Sequence, residues 1–484
     1  MRTANSTYSN RFGLFSLSLL LFGTLTSAGL AEQIKLDVAL ANPTMLIEEA
    51  DKGENYLRIA LTGFDIPNKE TRQPVNVAIV IDKSGSMQGE KIRQARKAAI
   101  GALERLGDDD ILSIITYDST VHVLVPATKA SDRELIRKKI ESIKAGGNTA
   151  LFAGVSKGAA EIRKFLDEKT VNRVILLSDG LANVGPSTPS ELAQLGESLI
   201  KEGISVSTLG LGLGYNEDLM SRMAVAGNGN HVFIEDAENL VSVFQNEFDD
   251  VLSVVAQQIR IVADIAPGVR PVKVLNSKAD ITGQQVAIDL GQLYAKQERY
   301  FVLEVEVPFA VKGTAAPVAE VAVEYMNMLT ETKDKLTSAV EVKFTDDKTI
   351  AINNIDKPVF ASCMILVANG ANKRATELRD AGQINAACNL LQTNAAWLDK
   401  QYQDVAIPEL KSKSLMNRMQ SENLFGNWAT TRKAMREAQV ADDSQQRYSG
   451  SGAKTPSGSS SKGSSDKKSN SGASSSSSKG KQPW

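Results

Sequence analysis

The 484-residue sequence holds only two cysteines, Cys363 and Cys388, and only two histidines, His122 and His231. Two thiols exclude a disulfide-dense scaffold and any multi-thiolate metal site. Neither histidine accompanies a Gly-x-Ser-x-Gly elbow or a zinc signature, so no base-and-nucleophile pair for hydrolysis is visible. There is no Gly-Lys-Ser/Thr phosphate cradle. Gly210-Leu211-Gly212-Leu213-Gly214 lacks the third glycine at the offset that a dinucleotide loop requires, and reads instead as a flexible turn. Net charge is also sparse: 55 basic against 57 acidic residues leave -2, and no global field recruits nucleic acid. Beyond residue 31 no stretch is apolar enough to span a bilayer, which excludes a helical pore.

The N-terminus does carry one short apolar run. Arg2 and Arg11 flank a polar segment, Phe12 to Leu25 is apolar, and Gly29-Leu30-Ala31 offers small residues before Glu32. This is the pattern of a signal peptide cleaved after Ala31, so the mature protein is expected to be exported to the periplasm, the cell surface or the medium. In such a compartment Cys363 and Cys388 are free to form a bridge or to remain two buried thiols.

Residues 32–72 alternate apolar and polar in two strand-like stretches, Ile34 to Leu40 and Tyr56 to Leu61, around a turn-like Asp51 to Asn55. At Pro74 the pattern changes. Short apolar runs (Val75 to Ile81, Ile111 to Thr116, Val121 to Val125, Val174 to Leu177, Ile204 to Leu209, His231 to Ile234) alternate with helical periods, the last of them from Ala237 to Gln257. This predicts a doubly wound, mostly parallel α/β sheet over 73–257, covered on both faces. The Tyr117-Asp118-Ser119-Thr120 connection is too short for a helix and predicts one antiparallel edge strand. Thr188-Pro189 marks a helix start. Alternation returns over 258–350, predicting a β-sandwich that the 32–72 segment joins, with the α/β domain inserted between them. Helical period dominates 351–441 and predicts a pair of antiparallel helices broken at Ala381-Gly382-Gln383. After Arg447 the chain is nearly all Ser, Gly and Lys, a composition that predicts a disordered tail over 442–484, of charge +4.

At the end of the first parallel strand stands Asp82-Lys83-Ser84-Gly85-Ser86, which places a carboxylate and two hydroxyls on a strand-to-helix loop. In an open parallel sheet such loops border the ligand crevice. Thr149, after Gly146-Gly147-Asn148, and Asp179, directly after a strand, bring two more oxygens to that edge. Neutral hydroxyls with only two carboxylates suit Mg²⁺, or Ca²⁺ or Mn²⁺, rather than Zn²⁺, and leave an exchangeable position.

Asp82-x-Ser84-x-Ser86 with Thr149 and Asp179 resembles the metal-ion-dependent adhesion site of von Willebrand factor type A domains. The phrases Arg173 to Gly180 and Gly227 to Asn230 resemble the bacterial branch related to calcium-activated chloride channel homologues. The resemblance implies a binding protein, not an enzyme. In it Ser84, Ser86 and Thr149 ligate the metal directly, Asp82 and Asp179 act directly or through water, and a protein partner's acidic residue completes the shell. Lys83 is expected to point away from the metal and to lend its charge to an acidic partner. The alternatives are a cell-envelope assembly scaffold whose metal site is only structural, and a metal-dependent hydrolase.

Overall fold

Short runs rich in valine and isoleucine, apolar at every position, suit strands buried on both faces. The computed structural model describes residues 33–47, 51–66 and 72–445. The expected signal peptide, and the expected tail from residue 446 onward, lie outside the described residues. First comes β1 (Lys35–Leu40), β2 (Thr44–Leu46) and β3 (Lys52–Thr62). β3 starts within the stretch expected to turn, because a long partner strand further on pairs it as far back as Lys52.

The α/β body runs β4 (Val75–Asp82), α1 (Glu90–Arg105), β5 (Ile111–Tyr117), β6 (Val121–Lys129), α2 (Arg133–Glu141), α3 (Leu151–Ile162), β7 (Val171–Ser178), α4 (Pro189–Lys201), β8 (Ile204–Leu211), α5 (Glu217–Ala226), β9 (Asn228–Ile234) and α6 (Leu240–Val251). Its strand order is β6-β5-β4-β7-β8-β9. Every pairing is parallel except that of β5 with β6, the edge hairpin that the short connection predicts. α1, α2 and α6 pack on one face and α3, α4 and α5 on the other. Pro189 opens α4 beneath a capping box made by Thr188 and Glu191. The chain leaves β4 toward β5 on one side and later enters β7 on the other. The crevice between the carboxyl ends of β4 and β7 is therefore the topological switch point, where ligands bind in such sheets.

Then follow β10 (Val254–Ile265), β11 (Arg270–Val274), β12 (Asp280–Thr282), β13 (Gln285–Tyr294), β14 (Glu298–Pro308), β15 (Ala315–Asn327) and β16 (Thr332–Thr345). The helix expected to reach Gln257 stops at Val251, and Val254 to Gln257 belong to β10, where pairing with β13 and β15 overrides the helical period. Sheets β1-β3-β14-β11 and β12-β13-β10-β15-β16-β2 face each other across a core that includes Leu57, Ile59, Ile261, Phe301 and Val321. Strands from before and after the α/β body thus share both sheets. Where the body meets the sandwich, Arg173 of β7 is fully buried. It pairs with Glu247 of α6 at 2.9 Å and donates to Tyr294 Oη of β13 at 2.8 Å and to the Gln292 side chain.

The C-terminal region holds α7 (Lys348–Asn353), α8 (Lys357–Asp380), α9 (Ile384–Val405), α10 (Pro408–Asn423) and α11 (Trp428–Ser444). Four long helices replace the expected pair. Beyond the break at 381–383, the chain breaks again at Ala406, which adopts φ 56° ahead of Pro408, and at Asn427, which caps α11. α11 also takes in Asp442, Asp443 and Ser444, the first residues of the expected tail. α8 lies on the outer face of the four-stranded sheet, with Val359, Phe360 and Met364 packed in one cluster with Tyr56 and Val302. Cys363 and Cys388 are free thiols. Among the described residues no helix is long and apolar enough to cross a membrane.

Candidate metal centre

β4 ends on Asp82, whose side chain has no exposure. Its Oδ1 accepts from the Ser84 backbone N–H at 2.8 Å and its Oδ2 from Ser178 Oγ at 2.7 Å. Burial raises the pKa of this carboxyl above its ordinary value and the charge of Asp179 adds to the shift, against hydrogen bonds from Ser84 and Ser178. Ser84 also caps the short turn Gly85–Met87, and its Oγ lies 3.0 Å from Ser86 Oγ. Ser86 Oγ in turn donates to Asp179 Oδ1 at 2.6 Å.

Thr149 reaches the same place because its loop is sewn to the motif loop by backbone bonds. Gly146 N donates to Lys83 O at 2.7 Å, and Gly85 N to Gly147 O at 3.0 Å. Asn183 fixes Thr149 from the other side, accepting from its N–H at 2.9 Å and donating to its carbonyl at 3.2 Å. At Gly180 a methyl group would stand 3.2 Å from Thr149 Oγ1 and 3.5 Å from Ser86 Oγ. Both hydroxyls therefore close on a cradle that a side chain at this position would crowd.

All five side chains read from the sequence come together. Asp82, Ser84, Thr149 and Asp179 are nearly buried, whereas Ser86 is exposed and marks the open side. Lys83 is a correction: Asp118 takes its ammonium, so its charge is not free for a partner. Three contributors escaped sequence reading. Ser178 closes β7 and Asn183 follows in the loop, neither marked by a local signal, and Lys91, in the first turn of α1, places Nζ 2.5 Å from Asp179 Oδ2.

The donor set fits a hard divalent cation. Among the described residues no group of three or more His, Cys, Asp and Glu side chains is placed to hold a metal ion; a cation bound here would meet hydroxyl oxygens beside two carboxylates. That is the coordination chemistry of Mg²⁺, Mn²⁺ or Ca²⁺.

The loop after β8 completes the rim. A methyl at Gly214 would stand 2.9 Å from the Asp179 carbonyl, and Gly212 adopts φ 72° beside Lys91. Tyr215 and Glu217 at the end of this loop are gripped by α11. Lys433 Nζ bonds Tyr215 O at 2.9 Å and Glu217 at 2.6 Å, over the Tyr215 ring, while Arg432 pairs with Glu217 and Asp218. The histidines take no part in the centre. His122 is exposed beside Thr120 Oγ1, and His231 is buried with Nδ1 2.8 Å from Thr208 Oγ1.

Fold and cluster together define a class: a doubly wound α/β domain with oxygen donors gathered at its switch point. The family model of the von Willebrand factor type A domain matches residues 76–247, and the chain carries a domain of that family. The uncharacterized protein sll0103 of Synechocystis sp. is 27% identical over 363 residues, which cover 72% of this chain and 83% of that protein. YfbK of Escherichia coli is 28% identical over 194 residues, covering 40% of this chain and 34% of that protein. Human inter-alpha-trypsin inhibitor heavy chain H3 is 32% identical over 165 residues, covering 32% of this chain and 18% of that protein. This chain thus spans only a minor part of the last two. A solved von Willebrand factor type A structure from Catenulispora acidiphila aligns with TM-score 0.64 at 16% identity over 85% of this chain and 97% of its own. The ArnB paralog VWA2 from Sulfolobus acidocaldarius aligns at 0.58 and 15% over 85% and 98%. At these identities the likeness is one of fold, and it extends well beyond the α/β body.

Proposed function

We propose that this chain is an exported binding protein that grips an acidic group of a protein partner through a divalent cation held by Asp82, Ser84, Ser86, Thr149 and Asp179. The observation that carries this reading is the convergence of three hydroxyls and two buried carboxylates at the switch point, with Ser86 on the solvent side. A bound divalent cation supplies positive charge at the rim and an exchangeable coordination position. Ser84, Ser86 and Thr149 contribute neutral oxygens and leave that charge incompletely cancelled, so a partner's carboxylate gains most from approaching it. Asp179 orients the Ser86 hydroxyl, Asp82 fixes the Ser84 backbone and the Ser178 hydroxyl, and both would ligate directly or through water. Mg²⁺, Mn²⁺ and Ca²⁺ all suit the donors. Export rests on the pattern over 1–31, and the finer affinity to the bacterial branch on Arg173 to Gly180 and Gly227 to Asn230. On the same reading, 32–72 and 258–350 form one β unit around an α/β domain at 73–257, with residues 254–257 moved to the β unit because they pair within β10.

A second reading, an envelope assembly scaffold whose helical region makes the main contacts, is favoured by Leu415, Met419 and Phe425, large side chains exposed on and just after α10. A pull-down from the envelope fraction with and without chelator, comparing wild type with Asp179→Ala and Ser84→Ala, separates the two. Metal-bridged binding requires that chelator and both substitutions abolish capture while the fold survives. Equal capture in chelator and in Mg²⁺ sinks it in favour of the scaffold.

A further inference from the structure

Asp179 is 1% exposed, yet both of its carboxylate oxygens are engaged. Ser86 holds Oδ1, and the ammonium of Lys91 sits on Oδ2 at 2.5 Å. Lys91 comes from the first turn of α1, and its side chain is one-third exposed, at 33%. Its tip passes Gly212, where a methyl would stand 3.6 Å from Nζ. The ammonium therefore lies between solvent and the donor cluster, on a flexible four-carbon stem that can carry it back to water.

We propose that Lys91 is a built-in competitor for the divalent cation: it holds Asp179 while the centre is metal-free and withdraws when a metal engages. The inference rests on the metal-centre reading given above. Asp82 and Asp179 place two buried acidic groups beside each other, and an unpaired buried charge is costly. Lys91 supplies one positive charge and so steadies the metal-free arrangement, leaving the hydroxyls of Ser84, Ser86 and Thr149 assembled. A divalent cation matches two carboxylates in charge. With the metal in place, the ammonium beside Asp179 Oδ2 faces like-charge repulsion and its contact becomes redundant. The site thus exchanges one cation for another, and every binding event includes the release of Lys91. Two consequences follow: the metal-free protein is more stable than one with the same acids and no lysine, and metal affinity is lower than the donors alone would give.

The experiment uses the full chain as wild type, Lys91→Met and Lys91→Gln, with Ser84→Ala as the metal-site control, Mn²⁺ and Mg²⁺ being titrated by calorimetry and thermal unfolding followed in chelator and in saturating Mn²⁺. Met preserves length without charge, and Gln retains a donor for Asp179. Both variants are expected to bind Mn²⁺ about tenfold more tightly than wild type, to melt earlier in chelator, and to melt with wild type once loaded. Affinity equal to or weaker than wild type in both variants overturns the role of Lys91 and leaves the metal centre standing. If wild type itself takes up no Mn²⁺ and Ser84→Ala melts as wild type does in both conditions, the metal-centre reading fails and this inference falls with it.

Discussion

His231, near the middle of β9, has Thr208 Oγ1 2.8 Å from its Nδ1 and the ring of Tyr215 beside it. Burial, with the charge of Lys433 adding to it, lowers its pKa from 6.5 to about 4. The sign follows directly. Between these values the unfolded chain takes up a proton that the folded chain refuses, so stability is full at neutral pH and falls as the pH drops from 6.5 toward 4. The fall attributable to this one residue approaches about 3 kcal/mol at the acid end. Urea unfolding at several pH values in that window is expected to show a steeper slope for wild type than for His231→Gln. A second residue-scale expectation concerns Gly180, where a methyl would meet Thr149 Oγ1 at 3.2 Å. Gly180→Ala is expected to weaken Mn²⁺ binding about tenfold while shifting the unfolding free energy by less than about 1 kcal/mol, measured by calorimetry and urea titration. At this scale the sequence was informative where a carboxylate stands at the end of a strand-like run, as with Asp82 and Asp179, but not for the Ser178 hydroxyl between run and carboxylate, which looks like an ordinary strand-end serine. Lys91 was silent, because a lysine in the first turn of an amphipathic helix looks like any solvated charge until the fold turns it toward an acid.

Among the elements, α11 and the loop after β8 are the pair whose contact matters most to the centre. Lys433 is 2% exposed and binds Glu217 and the Tyr215 carbonyl together. Glu217 keeps Arg432 when Lys433 is removed, so Lys433→Ala is expected to cost about 2 kcal/mol in urea unfolding, chiefly through lost charge-assisted hydrogen bonds, and Lys433→Ala combined with Glu217→Gln measurably less than the sum of the two single changes. The helices were only half legible. The period is clear in α9 and α11 but weak in α8, and α10 turns Ser414, Asn417 and Ser421 inward and Leu415 and Met419 outward. Only Leu410 of its large apolar residues is fully packed, and polar contacts such as the hydrogen bond from Asn372 to Asn417 at 2.9 Å hold the rest of the helix. The end of α6 was misread for the opposite reason: Val254, Val255 and Ala256 are apolar enough for either state, and only pairing with distant strands decides.

For the molecule as a whole, the union of body and sandwich rests on apolar contact and on Arg173, which is paired within the body to Glu247 and donates across the junction to Gln292 and Tyr294 of β13. Arg173 and Glu247 are both fully buried. Arg173→Met is expected to destabilise by about 3–5 kcal/mol, while Arg173→Met with Glu247→Leu recovers much of that loss, read from urea midpoints of the full chain. The parallel sheet was the most legible part, since its strands are short continuous apolar runs separated by helix-length segments. The pairing of β3 with β14 has no local signal, because Thr62 meets Glu298 only after the entire body has intervened. That pairing sets an order of assembly. While the polypeptide is being made, β3 finds β1 at once, but its other edge stays open until β14 emerges. An open strand edge is a hazard to a nascent chain. The inserted body is expected to close before the outer sheets complete, because its closure brings β3 and β14 together; pulse-labelling hydrogen exchange that shows β3 and β14 protected before the parallel sheet would contradict this. This protein is built from the inside out.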